Sequence, residues 1–577
     1  MNQITKPSIP RAEYPTPQFA RENWMNLNGE WEYSTDHAVS GEARKLYMPE
    51  SDAFTETITV PFCRESELSG IGDKDFCECV WYRKKLTLPE NWQSGDKRVI
   101  LHVGACDYVA TVYVNGKKIG KHIGGFVSFS FDITPALTEG ENTIVISAYD
   151  DTRSGNQPGG KQSLRYGSYG CYYTRTTGIW QTVWLECVPG AYLKSARYLT
   201  DVAASTLTVE AKAVSPDGTP FKAEAYWEGK KVGEASAVTT FGCATVQVKL
   251  SELHLWELGK GGLYDLVLTL GDDVVKSYFG MRSLGLDDSA LVINGKKVFQ
   301  RTVLDQGFYP DGIFTAPTEQ ALIDDITRSM DCGFNGARLH QKVFEPLFLY
   351  HCDRLGYMVW DELGNWGLDL SRPNAWKAYT CEWTEVVARD INHPSIIGWC
   401  PFNETALNQD PDIIAVLADL TRRLDPTRPV IDTSGWVHVD GATDIMDWHD
   451  YDQNPETFRQ RYIDVANGVG VMNKRFTTET IIPRFISEYG GIKWDVNSGN
   501  SAAWGYGNAP QTEEEFLERF KGLAEALLEN PFITGLCYTQ LTDVEQEVNG
   551  LYTYDRKAKF DVSFFKKVLS QKAAMEE

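Results

Sequence analysis

The pattern of apolar and polar positions changes character twice along the chain. Residues 1–189 contain short runs in which apolar and polar positions alternate, such as RVILHVGACDYVATVYVNGKKIG at 98–120. There Asn115 and Gly116 separate two strand-like segments, and Asn-Gly is the strongest short signal for a β-hairpin. Many short strands joined by turns predict a β-sandwich of the jelly-roll kind for residues 1–189. Residues 190–283 continue in β style and have the length of one immunoglobulin-like β-sandwich.

Residues 284–577 follow a different pattern, in which short apolar runs alternate with amphipathic segments. The apolar runs lie at 298–305, 336–340, 358–362, 396–403, 429–434, 445–451, 484–490 and 535–541. Helix-like stretches such as TEEEFLERFKGLAEALLEN separate most of them, and the link between the sixth and seventh runs is the least clearly helical. This alternation predicts a parallel sheet wrapped by helices, and eight runs predict a closed (β/α)₈ TIM barrel.

Polar side chains follow each apolar run, at the end of a barrel where active sites lie. Carboxylates, histidines and aromatic residues dominate the set, and buried carboxylates are avoided unless they are paired or used. The set therefore predicts a functional site rather than packing. Its members are Asp305, Gln306, Arg338, His340, Asp361, Glu362, Asn403, Glu404, Asp432, His449, Tyr451, Glu488, Tyr489, Tyr538, Gln540 and Asp543.

Glu404 and Glu488 end the fourth and seventh runs, so both carboxylates are expected at one mouth of the barrel. Two carboxylates across a pocket suit glycoside hydrolysis. A separation of about 5–5.5 Å gives retention of configuration and about 6.5–9.5 Å gives inversion. Taken singly, each glutamate is explained equally well as a capping or ion-paired group. Together they favour a catalytic pair.

Composition and charge narrow the classes of partner. The 577-residue chain has a net charge of −23, which disfavours nucleic acid and anionic membranes as partners. It contains no apolar stretch of about 18 residues, so no transmembrane helix is expected. The start, MNQITKPSIPRAEYP, lacks the pattern of a signal peptide, which predicts a cytoplasmic protein. The 12 scattered cysteines are expected to be mostly buried free thiols.

A metal site is the weaker alternative for the same residues. His340, His449 and a carboxylate could bind zinc, but they lack HExxH-like spacing, and a lone histidine is more often a core residue. Cys77 and Cys79 lie two apart with no second Cys/His pair at zinc-ligand spacing. We therefore predict neither a metal nor a cofactor.

Several motifs together resemble a known family. They are PRAEYPTPQFARENWMNLNGEWEY near the start, TTGIWQTVWLE at 176–186, GFNGARLHQ at 333–341, MVWDE at 358–362, WCPFNE at 399–404 and FISEYGG at 485–491. In this combination the chain resembles glycoside hydrolase family 2, which holds β-galactosidases, β-glucuronidases and β-mannosidases. The resemblance covers essentially the whole chain. It implies a sugar-binding-like jelly roll, a catalytic TIM barrel and a homo-oligomer.

The resemblance also implies roles for the residues at the ends of the strands. Glu404 would be the acid/base and Glu488 the nucleophile that forms a covalent intermediate. Asn403 would bind the sugar 2-hydroxyl, Tyr451 would support the nucleophile, and Arg338 would lie beneath Glu488 and keep it ionised. The other predicted substrate-binding residues are Asp305, His340, His449, Tyr538 and Gln540.

One departure from the family pattern concerns the sugar. The β-glucuronidases of the family carry an Asn-x-Lys motif that grips the sugar carboxylate, but here Glu547, Val548 and Asn549 precede Gly550. Glu545 and Glu547 would repel a uronate. We therefore predict a retaining exo-β-glycosidase with a β-galactoside or related neutral sugar as first substrate. A β-uronide (galacturonide or glucuronide) held by an arginine comes second, and a furanoside or mannoside third. The alternative of another class is a non-catalytic carbohydrate-binding protein.

Overall fold

The fold was analysed in a computed structural model, which describes residues 9–287, 289–405, 410–467, 469, 482–496 and 501–576. Within these ranges one large apolar cluster lies in residues 27–187 and a second in residues 193–281. The largest cluster consists mostly of barrel residues and also includes Phe126 and Trp180 of the first domain. The predicted fold class is confirmed, with a jelly-roll sandwich followed by an immunoglobulin-like sandwich and a TIM barrel.

The N-terminal domain consists of short strands and turns. The strands are β1 (Trp24–Asn26), β2 (Gly29–Thr35), β3 (Glu56–Val60), β4 (Cys79–Thr87), β5 (Arg98–Val103), β6 (Cys106–Asp107), β7 (Val109–Val114), β8 (Lys117–Ile123), β9 (Phe129–Asp132), β10 (Glu141–Tyr149), β11 (Gly178–Ile179) and β12 (Val183–Val188). A sheet of order β1-β12-β5-β9 packs against one of order β3-β2-β4-β10-β7-β8, and β6 pairs with β11. Alternate side chains of the facing strands, such as Leu101 and Val112, fill the core.

The predicted hairpin at Asn115 and Gly116 joins β7 to β8 in antiparallel register. Both turn residues have positive φ, +48° and +77°. A two-residue turn of this hand matches the twist of the flanking strands, and Asn and Gly tolerate it at little cost. The local sequence alone therefore defines this turn.

The second domain is a seven-stranded antiparallel sandwich. Its strands are β13 (Tyr192–Asp201), β14 (Thr206–Val214), β15 (Pro220–Trp227), β16 (Lys230–Val238), β17 (Cys243–Lys249), β18 (Tyr264–Leu270) and β19 (Asp273–Phe279). They form sheets of order β13-β14-β17 and β16-β15-β18-β19. Burial alternates along β17 and β18, as expected for strands with one face in the core and one in solvent.

A small antiparallel sheet leads into the barrel. It consists of β20 (Leu284–Leu286), β21 (Leu291–Ile293) and β22 (Lys296–Val298). Leu291 and Ile293 pack with barrel residues such as Trp360 and Phe485 in one apolar cluster. The barrel interior is therefore closed by packed side chains below the site.

Seven parallel strands form the barrel sheet. They are β23 (Gln300–Asp305), β24 (Gly336–Leu339), β25 (Met358–Glu362), β26 (Ile396–Cys400), β27 (Met446–Asp450), β28 (Arg484–Gly490) and β29 (Gly535–Thr539), in the order β26-β25-β24-β23-β29-β28-β27. The fifth predicted run, 429–434, forms no named strand among the described residues. It adjoins β26 through two isolated bridges, Trp399 to Val430 and Asn403 to Ser434.

Helices cover the outside of the sheet. They are α1 (Glu319–Asp331), α2 (Pro346–Leu355), α3 (Pro373–Asp390), α4 (Pro411–Leu424), α5 (Pro455–Ala466), α6 (Glu513–Leu528) and α7 (Val562–Leu569). Thr318 and Thr512 cap α1 and α6 by accepting a backbone N–H of the first turn. The link between the sixth and seventh runs, whose pattern was the least clearly helical, contains the helix α5. No helix in the described ranges combines the length and apolar character needed to cross a bilayer.

Candidate active site

Glu404 lies just beyond the end of β26, where the chain turns sharply. Its φ is +46°, a left-handed conformation that is uncommon for a residue with a side chain. Its backbone N–H donates to the Ser434 carbonyl at 2.8 Å, which ties it to the fifth extended run. An outlying backbone conformation held by surrounding structure is typical of functional sites. The turn directs the Glu404 carboxylate towards His449 on β27.

Glu488 lies within β28, and its side chain is almost fully buried. Arg338 on β24 donates from Nη1 to Glu488 Oε1 at 2.8 Å, and the Tyr451 hydroxyl donates to Glu488 Oε2. Burial alone would raise the pKa of this carboxyl, but the charges of His449 and Arg338 outweigh burial and hold the pKa well below its usual range. Glu488 is therefore ionised at neutral pH, as a nucleophile must be.

His449 lies between the two glutamates. Its Nδ1 is 2.6 Å from Glu404 Oε1, and its Nε2 is 3.4 Å from Glu488 Oε1. Burial lowers the pKa of the imidazole, but the carboxylates of Glu488 and Glu404 raise it more, so the net direction is upward. One oxygen of each carboxylate and one nitrogen of His449 lie within 4.8 Å of one another. The two predicted carboxylates therefore do share one pocket.

The same three side chains are the candidates for a metal site, and their contacts argue against one. Each nitrogen of His449 already faces a carboxylate oxygen. The Arg338 guanidinium lies directly against Glu488, where it would repel a divalent cation. Hydrogen bonds and ion pairs thus occupy the groups that a metal would need.

Arg338 organises the floor of the pocket. It is fully buried and pairs with both Glu488 and Glu362, each at 2.8 Å. His340 Nδ1 lies 3.0 Å from the other oxygen of Glu362, and Arg338 also donates to Asn403 Oδ1. This leaves the Asn403 amide NH₂ without a hydrogen-bond partner among the described residues. A buried, preoriented donor of this kind is suited to bind a sugar hydroxyl.

Asp305, Tyr538 and Gln540 make their hydrogen bonds with groups other than the two glutamates. Asp305 accepts from the Gly307 N–H at 2.9 Å, and burial together with Asp325 raises its pKa to about 6. The Tyr538 hydroxyl donates to the Asn549 carbonyl at 3.4 Å. Gln540 donates to the Asn549 side chain at 2.8 Å and accepts from Gln306. None of these contacts joins them directly to Glu404 or Glu488. Their roles in sugar binding stay predictions.

The N-terminal domain also contributes to this pocket, which the strand-end reasoning missed. Residues 150–177, between β10 and β11, reach over the barrel mouth. The Tyr173 hydroxyl donates to Glu547, and the Lys161 ammonium lies 4.2 Å from the centre of the Trp366 ring. On the other side, Tyr506 stacks on Tyr451 with 3.4 Å between ring centres. The only signal in the sequence was the glycine- and tyrosine-rich composition of this connection, which gives no position relative to the barrel.

Comparisons with known proteins identify a family for two parts of the chain. A family model described as the galactose-binding domain-like part of glycosyl hydrolase 2 matches residues 55–178, and one described as the TIM barrel domain of glycosyl hydrolases family 2 matches residues 284–571. Both matches fall inside the first and third predicted domains, 1–189 and 284–577.

Individual proteins similar to this chain include β-glucuronidases and a β-galactosidase. A Formosa agariphila protein named provisionally as a β-glucuronidase is 27% identical over 429 residues, covering 70% of this chain and 50% of that protein. A β-galactosidase from Thermoanaerobacter pseudethanolicus is 24% identical over 462 residues, covering 75% and 58% respectively. The chain thus spans little more than half the length of these two relatives. The solved structure of a Ruminococcus gnavus β-glucuronidase, bound to a substituted uronic isofagomine, has a TM-score of 0.80 at 19% identity, covering 97% of this chain and 100% of that chain.

Proposed function

The chain belongs to glycoside hydrolase family 2, and from this membership we propose that it hydrolyses terminal β-linked sugars with retention of configuration. The proposal covers the activity, the mechanism and the substrate. The observation that carries the proposal is the spacing of the two carboxylates. An oxygen of Glu404 and an oxygen of Glu488 lie within 4.8 Å of each other. This bound on the nearest oxygens favours the separation of about 5–5.5 Å between carboxyl groups in retaining enzymes over the separation of about 6.5–9.5 Å in inverting ones.

The proposed reaction has two displacements at the anomeric carbon. Glu488 Oε attacks that carbon while Glu404 gives its proton to the glycosidic oxygen, and the aglycone leaves as an alcohol. Glu404, now ionised, removes a proton from water, and the water oxygen displaces Glu488 from the sugar. Arg338 and Tyr451 donate hydrogen bonds to the ionised Glu488 before it attacks and again after it leaves the sugar.

The proposed order of substrates differs from the one drawn from the sequence. Two of the three similar proteins reported above carry the name β-glucuronidase, and one carries the name β-galactosidase. These names favour a β-uronide as the first substrate to test. A β-galactoside is the second candidate, because the neutral Asn549 and the acidic Glu547 occupy the part of the pocket next to Gln540.

The test is a panel of nitrophenyl glycosides with variants of each glutamate. Glu488→Gln removes the nucleophile and is expected to lower kcat by at least about 10⁴-fold on every sugar. Glu404→Gln is expected to lower turnover by about 10²–10⁴-fold on substrates with poor leaving groups and far less on dinitrophenyl glycosides. The reason is that a good leaving group departs without protonation. NMR of the first product formed then reports whether the β-anomer is retained.

The matched control is Glu514→Gln, which makes the same change on the exposed start of α6 and is expected to leave turnover unchanged. Equal losses on good and poor leaving groups would refute the acid/base role of Glu404. No turnover on any sugar, with sugar binding retained, would support the non-catalytic alternative. Loss of activity on chelation would support the metal alternative. The homo-oligomer and the cytoplasmic location stay predictions.

A further inference from the structure

Lys161 is a largely buried cation in the connection between β10 and β11. The residue is only 7% exposed. Its ammonium makes a cation–π contact with Trp366, but it has no hydrogen-bond acceptor or ion-pair partner within the described ranges. A charge on a largely buried side chain is costly without such partners, and buried charges are normally paired. The absence of an acceptor in this position points to a ligand that supplies one.

The position of Lys161 is set by close contacts between the N-terminal domain and the barrel. The N–H groups of Gly159 and Gly160 both donate to the Trp366 carbonyl, at 2.9 and 3.0 Å. Gly160 has φ of +56°, and a Cβ there would lie 2.1 Å from the Gln341 carbonyl oxygen, so only glycine fits. The Lys161 carbonyl accepts from the Tyr173 N–H at 2.7 Å. Lys161 is therefore held rigidly although it lies in a connection between strands.

Lys161 also lies beside the catalytic pair. The indole N–H of Trp366, on which its ammonium rests, donates to the carbonyl of Asn403, the residue before Glu404. Burial lowers the pKa of Lys161, but Cys171 and the carboxylates of Glu547, Glu488 and Glu404 raise it more. The ammonium is thus charged and shares its pocket with these three carboxylates.

We propose that Lys161 is a substrate-binding residue that pairs with a carboxylate on the sugar being cleaved. This inference rests on the proposed function, because it assigns the recognition of a β-uronide within that same site. The other cations described at the floor of the pocket are engaged, since Arg338 pairs with Glu362 and Glu488, and His340 with Glu362. The ammonium N–H groups of Lys161, by contrast, have no acceptor among the described residues and can donate to a ligand.

An ionised Glu547 would repel the carboxylate of an acidic sugar. The surroundings of Glu547 reduce this repulsion. It accepts from the Tyr173 hydroxyl and from the Asn549 amide, the latter at 3.0 Å. Burial raises its pKa, which favours the neutral form. Whenever Glu547 is protonated, the charge of Lys161 stays available to the sugar carboxylate.

The experiment compares sugars that differ only at C6. Each nitrophenyl β-uronide is paired with its neutral counterpart, glucuronide with glucoside and galacturonide with galactoside. The measured quantity is the ratio of kcat/KM for uronide to that for the neutral sugar. In Lys161→Met this ratio is expected to fall on the order of 10²-fold, because the sugar carboxylate loses a charge-assisted partner in a desolvated pocket. Lys161→Arg keeps the charge and is expected to keep the preference to within about tenfold. Lys85→Met, on the exposed side of β4 in the same domain, is the control for the charge change.

A second measurement does not depend on any variant. Free D-glucuronate is expected to inhibit the wild-type protein at least about tenfold more strongly than D-glucose. An unchanged ratio in Lys161→Met, or equal inhibition by the two sugars, would overturn the inference and would assign Lys161 to a hydroxyl instead. If the wild-type protein cleaves only neutral glycosides, the inference fails while the proposed glycosidase mechanism stands. If it cleaves no glycoside at all, both fail.

Discussion

Arg338 offers the sharpest test of how the nucleophile is kept ionised. Its guanidinium lies 2.8 Å from Glu488 Oε1, and both side chains are buried. Two unit charges about 4 Å apart interact by about 4 kcal/mol at an effective dielectric of about 20. Because one pKa unit corresponds to about 1.4 kcal/mol, removing Arg338 is expected to raise the pKa of Glu488 by about two to three units.

The substitution must not leave a second charge unpaired. Arg338 also pairs with Glu362 at 2.8 Å, and breaking a buried pair on one side only costs about 3–5 kcal/mol of stability. We therefore compare Glu362→Gln with the double variant Arg338→Gln/Glu362→Gln. The first keeps the cation beside the nucleophile, and the second removes it without leaving Glu362 charged and alone.

The assay is the pH dependence of kcat/KM on a dinitrophenyl glycoside, whose cleavage does not need the acid. The acidic limb of that profile reports protonation of the nucleophile in the free enzyme. Below the pKa of Glu488 the carboxyl is protonated and cannot attack, so a raised pKa moves the acidic limb to higher pH. We expect a shift of about two to three pH units in the double variant. If its acidic limb coincides with that of Glu362→Gln, the charge of Arg338 does not keep Glu488 ionised.

Three further perturbations test other parts of the site and fold. Tyr451→Phe removes the hydroxyl that donates to Glu488, so kcat/KM should fall about tenfold and its acidic limb should rise, whereas an unmoved limb would contradict the contact. Glu547→Gln should raise the preference for uronides over neutral sugars, more at pH 8 than at pH 5, because the wild-type carboxyl becomes ionised as pH rises. Burial raises the pKa of Glu382 to about 8, so the protonated form is favoured in the folded state. This group contributes fully to the free energy of unfolding below its unfolded pKa near 4.5, and the contribution is lost as pH rises to about 8. The loss is on the order of 5 kcal/mol in all. Glu382→Gln should flatten this slope in urea unfolding at pH 5 and pH 8, and an unchanged slope would contradict the raised pKa.

The alternation of apolar residues was enough to predict the three domains' fold class. Period-two patterns and the Asn115-Gly116 turn are local signals, since each depends on neighbours along the chain. The barrel followed from the repeated alternation of strand and helix. The fifth run was the exception: it is buried and extended, but it forms isolated bridges rather than a ladder. Hydrogen-bond pairing of this kind depends on the position of neighbouring strands, which hydrophobicity does not report.

The sequence by itself also predicted that the polar residues at the strand ends would meet, because parallel strands place their carboxyl ends at one edge of a barrel. Glu404, Glu488, Arg338 and His449 could be named in advance for that reason. Only the tertiary structure decided how far apart the two carboxylates are and that His449 lies between them. It also showed that the charged groups acting on Asp305 are Asp325, Arg556 and Lys342. Only the tertiary structure placed Lys161, from a connection in the first domain, next to Trp366 and the strand end that carries Glu404, more than 200 residues later in the chain. The physical reason is that distances between domains are set by packing across their interface, and no periodicity within either segment encodes them.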